Sequence, residues 1–548
     1  MKDDSKLKEL VSAPILVSTI DHLISATEGV RGGKQLPAML RLLTSDLVLD
    51  EPDDFDIADL HAVCRLMNWA GMLGTRVLLS SATLPPGLIQ ALFAAYLAGR
   101  KMWQASCGIN GRPVNICCAW FDEKDADATQ IYDGPGFRDA HAKFVARRAV
   151  MLAEKERLHF GRVASVSSAS GAIQDVTESV AQTVHTQMLK LHQAHRQRHE
   201  SGKTVSLGLV RFANINPLVA VTKALIAIPS PEDVCIHYCV YHSRHPLAVR
   251  SDIEKRLDRA FTRHNELDFW NNEDIADALH NRPESHHLFV VLGTSVIEVG
   301  RDWDADWGII EPSSMRSIIQ FAGRIQRHRR NVPTSENLVI LRSNIKSLQK
   351  KAPAFCKPGF ETKEHLLNSH DICELIPIAD YRTINALPRI LSANNANKLA
   401  ELEHSRLSAE LMSSKSKHVV AAQWWRAPLS WNGWMQRQTP FRYSPLPEAV
   451  FFLHMDDEES EARFYSRTGD NERKAQGNFR REEVRCASGV ACWGVMDYQH
   501  VLLNLADKQS CEIANVGEKF AEVRVPVSEE DAVDDWRYHP WLGVFRNM

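Results

Sequence analysis

The 548-residue sequence has few of the features that mark membrane or secreted proteins. It contains no apolar run long enough to span a bilayer, which predicts that the chain does not enter a membrane. Its 65 basic and 68 acidic residues nearly balance, so any nucleic-acid surface must be local. The eleven cysteines are odd in number and scattered, which favours a reducing cytoplasm. Cys235 and Cys239 have no companions at zinc spacing, and we interpret them as strand-core residues.

Two catalytic motifs are also missing. No phosphate-binding loop of the form GxxxxGK[ST] precedes the first strands. The only Gly-Lys-Thr, at positions 202–204, has Gln197 where the first loop glycine belongs, so we interpret it as a chance match. His370 and Asp371 form an HD dipeptide without further metal ligands at suitable spacing. The sequence therefore predicts no nuclease site.

The first motif that is present is acidic. Asp-Glu-Pro-Asp occupies positions 50–53, directly after the apolar run 47–49. Buried parallel strands end at the edge where such sheets bind ligands, and carboxylates there hold Mg²⁺ and activate water. One of these carboxylates can hold Mg²⁺ and its neighbour can deprotonate the attacking water, and Asp53 is a candidate for the cofactor site. By itself the motif leaves open a solvated loop after a strand.

Two later motifs strengthen that interpretation. Ser-Ala-Thr at positions 81–83 ends a second apolar strand, and Gln-Phe-Ala-Gly-Arg-Ile-Gln-Arg occupies positions 320–327. Together with the acidic run they resemble motifs II, III and VI of superfamily 2 helicases. Gln320, Arg324 and Arg327 fall at i, i+4 and i+7, which predicts one helix face. Arginines so placed can neutralise charge on the γ-phosphoryl group of ATP.

The basic residues that follow have a simpler interpretation. Arg329 and Arg330 would close the same helix and interact favourably with its dipole. We therefore expect substitution of Arg329 to have little effect.

Three residues are candidates for contact with nucleic acid. Thr19 and Thr294 each follow a predicted strand, in segments that resemble helicase motifs Ib and V, where backbone amides can face a phosphate. Arg244 ends Tyr-His-Ser-Arg, which resembles an element that places a basic residue against the DNA track. Gly300 and Asp302, in the turn after motif V, are assigned to the cofactor site.

The strand and helix patterns predict an α/β protein with two RecA-like helicase domains, the first truncated and lacking the phosphate loop. A linker helix and a smaller C-terminal domain follow. The predicted ranges are 1–99 and 100–345 for the RecA-like domains, 346–415 for the connector and linker helix, and 416–548 for a Trp-rich domain. Tryptophans in such a small domain are more typical of a core or interface than of base stacking.

Residues 26–85 carry the most specific resemblance. Positions 26–29 are Ala-Thr-Glu-Gly, positions 78–85 are Leu-Leu-Ser-Ser-Ala-Thr-Leu-Pro, and the acidic run has Pro52 where most families carry Ala, Val or Cys. In these stretches the sequence closely resembles the CRISPR-associated helicase–nuclease of type I-F systems. The resemblance extends over essentially the whole chain.

The resemblance implies an ATP- and Mg²⁺-dependent translocase. Full-length members resemble a fusion of an adaptation protein, an HD nuclease, two RecA-like domains, a linker helix and a C-terminal domain. They are recruited to a crRNA-guided surveillance complex, move 3′ to 5′ on the displaced single-stranded DNA and degrade it. By the resemblance, Asp50 binds Mg²⁺, Glu51 is the base, Ser81 and Thr83 couple hydrolysis to movement, and the two arginines of motif VI face the nucleotide.

The expected partners follow from the same resemblance. They are single-stranded DNA, the surveillance complex, the CRISPR adaptation integrase, and a half that carries the missing nuclease and phosphate loop. Two alternatives stay open. One is a non-catalytic remnant or binding module, and the other is an unrelated DExH RNA helicase or restriction translocase subunit.

Overall fold

The structure is a computed structural model that describes residues 12–28, 32–392, 396–413, 422–426, 438–442, 447–467, 473–475, 479–527 and 536–548. The chain forms two compact units. Unit 1 contains Met1–Lys155 and Ala386–Tyr443, and unit 2 contains Glu156–Asn385 and Ser444–Met548.

Helices and strands alternate along most of the chain. The α-helices are α1 (Ile20–Glu28), α2 (Gly32–Thr44), α3 (Ile57–Leu73), α4 (Pro86–Cys107), α5 (Gly134–Glu154), α6 (Ile173–His195), α7 (Ile215–Ile226), α8 (Leu247–Phe261), α9 (Glu266–Trp270), α10 (Glu273–Asn281), α11 (Met315–Ala322), α12 (Ile345–Leu348), α13 (Ile372–Leu375), α14 (Ile378–Arg382), α15 (Leu387–Ile390), α16 (Lys398–Leu411), α17 (Tyr498–Gln509) and α18 (Ile513–Phe520). The strands are β1 (Leu47–Asp50), β2 (Val77–Ser80), β3 (Ile116–Phe121), β4 (Ala126–Ile131), β5 (Gly161–Ala164), β6 (Gln197–Arg198), β7 (Thr204–Arg211), β8 (Val234–Tyr241), β9 (His286–Gly293), β10 (Trp307–Ile310), β11 (Leu338–Leu341), β12 (Glu448–His454), β13 (Arg463–Arg467), β14 (Arg473–Ala475), β15 (Arg480–Arg481), β16 (Val490–Cys492), β17 (Glu522–Pro526), β18 (Trp536–His539) and β19 (Gly543–Arg546).

Unit 1 contains a two-stranded parallel sheet. β1 and β2 pair in register, with Asp50 opposite Ser80. Side chains alternate between the two faces, so Leu49 is buried while Val48 and Leu78 are 59% and 50% exposed. Parallel sheets are normally covered on both faces. The exposed face that carries Val48 and Leu78 is called the open face below.

The two helices that follow these strands, α3 and α4, pack with their backbones in contact. A Cβ atom on Gly99 of α4 would lie 2.1 Å from the carbonyl oxygen of Asn68 in α3. A Cβ atom on Gly71 of α3 would lie 2.3 Å from the carbonyl oxygen of Tyr96. Glycine at both positions therefore allows the two backbones to touch.

A hairpin, β3–β4, and helix α5 complete the N-terminal part of unit 1. The ring of Phe93 in α4 stacks on Phe137 in α5 with centroids 3.9 Å apart. Trp120 in β3 and Ile131 in β4 are buried in the same cluster. The domain boundary predicted after residue 99 falls inside α4.

Unit 2 contains an eight-stranded sheet. Seven strands lie in the order β16-β8-β9-β7-β10-β11-β5 and pair in parallel, and β6 pairs antiparallel with β7. Every residue of β7 is buried, as expected for a parallel strand covered on both faces. Val184 of α6 and Leu218 of α7 belong to the same core as the strands.

The C-terminal segment adds one strand to this sheet and forms two further sheets. β16 pairs with β8, and the indole Nε1 of Trp541 donates to the carbonyl of Tyr238 in β8 at 3.0 Å. A four-stranded antiparallel sheet has the order β14-β13-β12-β17, and β15, β18 and β19 form a three-stranded sheet. Trp493, Trp536 and Trp541 are buried. Trp431 and Trp434 lie outside the described residues.

The predicted α/β class is confirmed by this architecture. The four domain ranges stay predictions, and the two units divide the chain differently: residues 100–155 fall in unit 1, and residues 416–443 and 444–548 fall in different units.

The strand predicted before Thr19 is wrong. In the part of the chain that the structure describes, residues 15–17 pair with no strand. Ile15 and Val17 are 84% and 91% exposed, because no described sheet receives them. Among the described helices, none combines the length and the apolar character that crossing a membrane requires.

Candidate active site

The acidic motif lies at the carboxyl edge of the sheet in unit 1. Since β1 and β2 are parallel, Asp50 and Ser80 end at the same edge. The amide of Glu51 donates to the carbonyl of Ser80 at 2.7 Å. Glu51 has φ 46° and ψ 54°, the left-handed region, and precedes a 3₁₀ turn, Pro52–Asp54. Residues other than glycine are uncommon in that region and cluster at functional sites.

The pKa of Glu51 suits a general base that works near neutral pH. Burial raises its pKa most, followed by the negative charges of Asp53 and Asp54, and the result is about 7. A base is most effective when its pKa lies near the working pH. Asp50 is exposed beside it. Two carboxylates at one strand end are suitable oxygen ligands for Mg²⁺, so the residues present fit the expected ion.

Asp53 is placed differently from its neighbours. It is 3% exposed, and its Oδ1 accepts a hydrogen bond from Ser81 (2.7 Å) while its Oδ2 accepts one from Thr83 (2.8 Å). Burial works to raise the pKa of Asp53, but the charge of Arg389 and the two hydroxyls hold it below its usual value. The structure therefore joins the two predicted coupling residues to the acidic motif through Asp53. Its predicted cofactor role stays a prediction.

Sequence reasoning missed Arg389, the cation that completes this network. Its Nη1 donates to Asp53 Oδ2 at 2.8 Å, and its Nη2 donates to Glu403 Oε1 at 2.7 Å. All three side chains are at most 1% exposed. Arg389 is 336 residues from Asp53 along the chain, and nothing in the sequence around α15 signals the contact.

In unit 2, motif V forms the carboxyl end of β9. Thr294 follows the strand, is 6% exposed and precedes a 3₁₀ turn, Ser295–Ile297. Gly300 then adopts φ 66°, and Asp302 lies two residues further on. The hydrogen bond from His328 contributes most to lowering the pKa of Asp302 to about 2, and Arg327 adds to it. Asp302 is therefore ionised near neutral pH.

The predicted helix face of motif VI is wrong. Helix α11 ends at Ala322, so Gln320 is helical but Arg324 and Arg327 lie in the turns after it. The chain turns because Ile325, which is fully buried, forms a bridge with Ala305.

The two arginines nevertheless lie beside motif V. Arg324 Nε donates to the carbonyl of Glu298 at 2.8 Å, and its Nη1 donates to the carbonyl of Arg301. Arg327 Nε donates to Asp302 Oδ1 at 2.7 Å. The structure thus brings both motif VI arginines against the turn that contains Gly300.

The interpretation of Arg329 as a helix-end residue is also wrong. Its guanidinium is paired with Asp304 at 2.9 Å and with Asp306 at 2.7 Å, and both carboxylates are at most 1% exposed. Arg263 pairs with the same Asp306 at 2.8 Å. Arg329 is part of a buried ion-pair network, and its substitution would disturb the fold.

The predicted nucleic-acid residues are spread over both units. Thr19 is exposed before α1 in unit 1. In unit 2, Arg244 donates to Asn216 Oδ1 at 3.0 Å and lies 5.1 Å from the ring centre of Trp536. Burial, and then the charge of Arg546, lower the pKa of Arg244 to about 10, so it stays charged at neutral pH.

The two residues of the HD dipeptide have separate partners. His370 Nε2 lies 2.9 Å from Glu361 Oε1, and its ring stacks on Phe355. Asp371 caps helix α13 and pairs with Arg342 at 2.6 Å.

Unit 1 thus has a carboxylate motif at the end of its parallel strands, and unit 2 has an arginine motif beside the turn that follows β9, as expected of a helicase-type α/β protein. Family models match two parts of the chain. Residues 204–330 match "CRISPR-associated nuclease/helicase Cas3, C-terminal", and residues 448–546 match "CRISPR-associated Cas3 subtype I-F/YPEST-like, C-terminal domain".

Two curated relatives match almost the whole chain. The Cas3 subtype I-F/YPEST nuclease/helicase of Pectobacterium atrosepticum is 49% identical over 98% of the chain, and that of Pseudomonas aeruginosa is 42% identical over 97%. The chain covers 50% of each, so it spans about half the length of these relatives. The chain is thus similar, over almost its whole length, to a C-terminal part of the CRISPR-associated helicase–nucleases of type I-F systems.

Solved structures support the fold. A crystal structure of T. fusca Cas3 is 15% identical, with a TM-score of 0.51 over 98% of this chain and 55% of that one. A crystal structure of T. fusca Cas3-ATP has a TM-score of 0.50 at 14% identity, over 99% of this chain and 55% of that one.

Proposed function

We propose that the chain is the helicase part of an ATP-dependent translocase that moves 3′ to 5′ on single-stranded DNA. It acts in the cytoplasm with a nuclease, in type I-F CRISPR interference and antiviral defence. A crRNA-guided surveillance complex recruits it, and the CRISPR adaptation integrase is a further partner. The similarity to two Cas3 subtype I-F/YPEST nuclease/helicases supports the helicase and CRISPR parts of this proposal.

The observation that carries the proposal is the linked pair of motifs in unit 1. Glu51 is a base with a pKa of about 7 at a strand end, beside the exposed carboxylate of Asp50. Asp53, in the turn that follows, is hydrogen-bonded to Ser81 and Thr83 after the next strand. A shift of the carboxylates on loss of the γ-phosphoryl would therefore be passed to β2.

Each residue then has a defined task. Asp50 would hold Mg²⁺, which would neutralise phosphate charge. Glu51 would take a proton from the attacking water. Arg327, whose Nε donates to Asp302, would stabilise charge that develops on the γ-phosphoryl.

A phosphate loop has to come from a further segment. The 548 residues contain no GxxxxGK[ST] motif, and the open face leaves Val48 and Leu78 half exposed. Added elements that cover this face would complete the sheet on both sides, as parallel sheets require. We propose that the segment with the phosphate loop and the nuclease packs there.

The test measures ATP hydrolysis with and without single-stranded DNA. The chain alone should hydrolyse ATP no faster than its Glu51→Gln variant. Joined to a segment of a relative that carries the phosphate loop, it should show DNA-stimulated hydrolysis that Glu51→Gln abolishes. Hydrolysis by the chain alone above the variant would contradict the requirement for that segment. No hydrolysis in the joined protein would favour the second candidate, a non-catalytic binding module, which the missing loop supports.

Binding of single-stranded DNA provides a separate test. If Thr19, Thr294 and Arg244 contact phosphates, the affinity for a labelled oligonucleotide should fall steeply as salt rises. Fluorescence anisotropy measures this affinity. An affinity that does not change with salt would remove these residues from a phosphate track.

A further inference from the structure

A cluster of metal-ligating side chains lies at the amino ends of β8 and β9. It is separate from the strand ends that carry the acidic motif and motif V. Cys235 and His237 are two residues apart on β8 and so point to the same face of the sheet. His287 of β9 is directly opposite Cys235 in the register. All three are buried, and their ligand atoms lie within 4.8 Å of one another.

The two imidazoles face each other through ring nitrogens. His237 Nε2 and His287 Nδ1 are 3.2 Å apart. Two ring nitrogens approach this closely when one carries a proton toward the other or when a cation lies between them.

The spacing suits zinc. Zn–N bonds of about 2.0–2.1 Å in a tetrahedral site put two nitrogens about 3.3 Å apart, close to the observed separation. A thiolate and two imidazoles are also a ligand set that zinc prefers over harder cations.

The cluster supplies three protein ligands, which leaves the fourth position of a tetrahedral zinc site to a water molecule.

We propose that Cys235, His237 and His287 bind a Zn²⁺ ion that fastens β8 to β9. The three side chains are buried and lie at the strand ends opposite Thr294, so the ion would stabilise the sheet and take no part in the reaction. Binding releases the proton of the Cys235 thiol to solvent.

The experiment uses the full chain, stripped with chelator and then loaded with Co²⁺ or Zn²⁺ alone. Co²⁺ should give an intense near-ultraviolet thiolate-to-metal band and the visible bands of tetrahedral coordination. The second cluster of possible ligands among the described residues, His264, Asp302 and His328, contains no thiol and cannot produce the thiolate band. Zn²⁺ should displace Co²⁺, and metal analysis should find it retained after gel filtration.

Variants assign the site. Cys235→Ser should lose the thiolate band, and Cys239→Ser should keep it. Cys239 is the matched control because it is also a buried thiol of β8 but lies outside the cluster. Zn²⁺ should raise the Tm of the wild-type chain and of Cys239→Ser. It should not change the Tm of Cys235→Ser.

The wild-type spectrum decides the matter even if a variant fails to fold. No thiolate band at excess Co²⁺, or an equal band in Cys235→Ser, would overturn the proposal. The 3.2 Å contact would then be a hydrogen bond between the two imidazoles.

Discussion

Removal of Arg389 should expose how much unit 1 depends on its buried charges. Arg389 is 1% exposed and donates to Asp53 at 2.8 Å and Glu403 at 2.7 Å. Arg389→Met keeps most of the side-chain volume but leaves two carboxylates in the interior without their cation. Breaking a buried ion pair by removing one partner costs about 3–5 kcal/mol, so we expect a loss of that size in the free energy of unfolding at pH 7.

The loss should depend on pH with a defined sign. In the wild-type protein the pKa of Asp53 lies below its ordinary value of 3.8, so its contribution to stability is present above that pH and is lost as pH falls. Without Arg389, burial raises the pKa of Asp53, and the carboxylate takes up a proton as pH falls. The difference between wild type and variant should therefore shrink from pH 7 toward pH 4.

Urea denaturation followed by tryptophan fluorescence and circular dichroism measures the difference. The matched control is Arg76→Met, which removes an exposed ion pair with Asp46 in the same unit and should change stability little. Adding Glu403→Gln to Arg389→Met should restore part of the loss, since one unpaired charge is removed. A loss that equals that of the control, or that stays constant with pH, would refute the reasoning.

Three further predictions concern packing, the base and motif VI. Gly99→Ala should lower the free energy of unfolding, measured by urea denaturation, by about 1–3 kcal/mol or more, because the added Cβ meets a backbone oxygen. The control is Gly134→Ala, whose added Cβ would meet open space and should leave the free energy of unfolding unchanged. Glu51→Gln should be more stable than wild type above pH 7 and equal to it well below pH 4.5, since the raised pKa of Glu51 means that its ionised form opposes folding; equal stability across this range would contradict the assigned pKa. In the protein that carries a phosphate loop, Arg327→Ala should lower DNA-stimulated ATP turnover on the order of a thousandfold while nucleotide binding persists. The exposed Arg330, replaced by Gln, is the control there, and equal losses in both variants would point to general damage.

The sequence by itself determined the strands that carry the motifs. The apolar run before the acidic motif matches β1, and the predicted strand before Thr294 matches β9. These elements are specified locally, by unbroken apolar residues that end at polar or glycine residues. The link between the acidic motif and Ser81 was predictable for the same reason, because parallel neighbours end at one edge.

Tertiary structure alone decided the rest of the site. α11 stops at Ala322 because Ile325 is drawn into the core beside Ala305, which no local pattern in motif VI shows. Arg329 becomes structural because two aspartates more than twenty residues earlier are buried against it.

Arg389 gives the plainest case. A charged residue can be fully buried only where partners compensate its charge, and those partners, Asp53 and Glu403, come from distant parts of the chain. Helical and strand periodicity report which face of an element is apolar, and they carry no information on which distant element will meet it. The sequence thus determined where the motifs are, and the packing of unit 1 determined which cation pairs with the acidic motif.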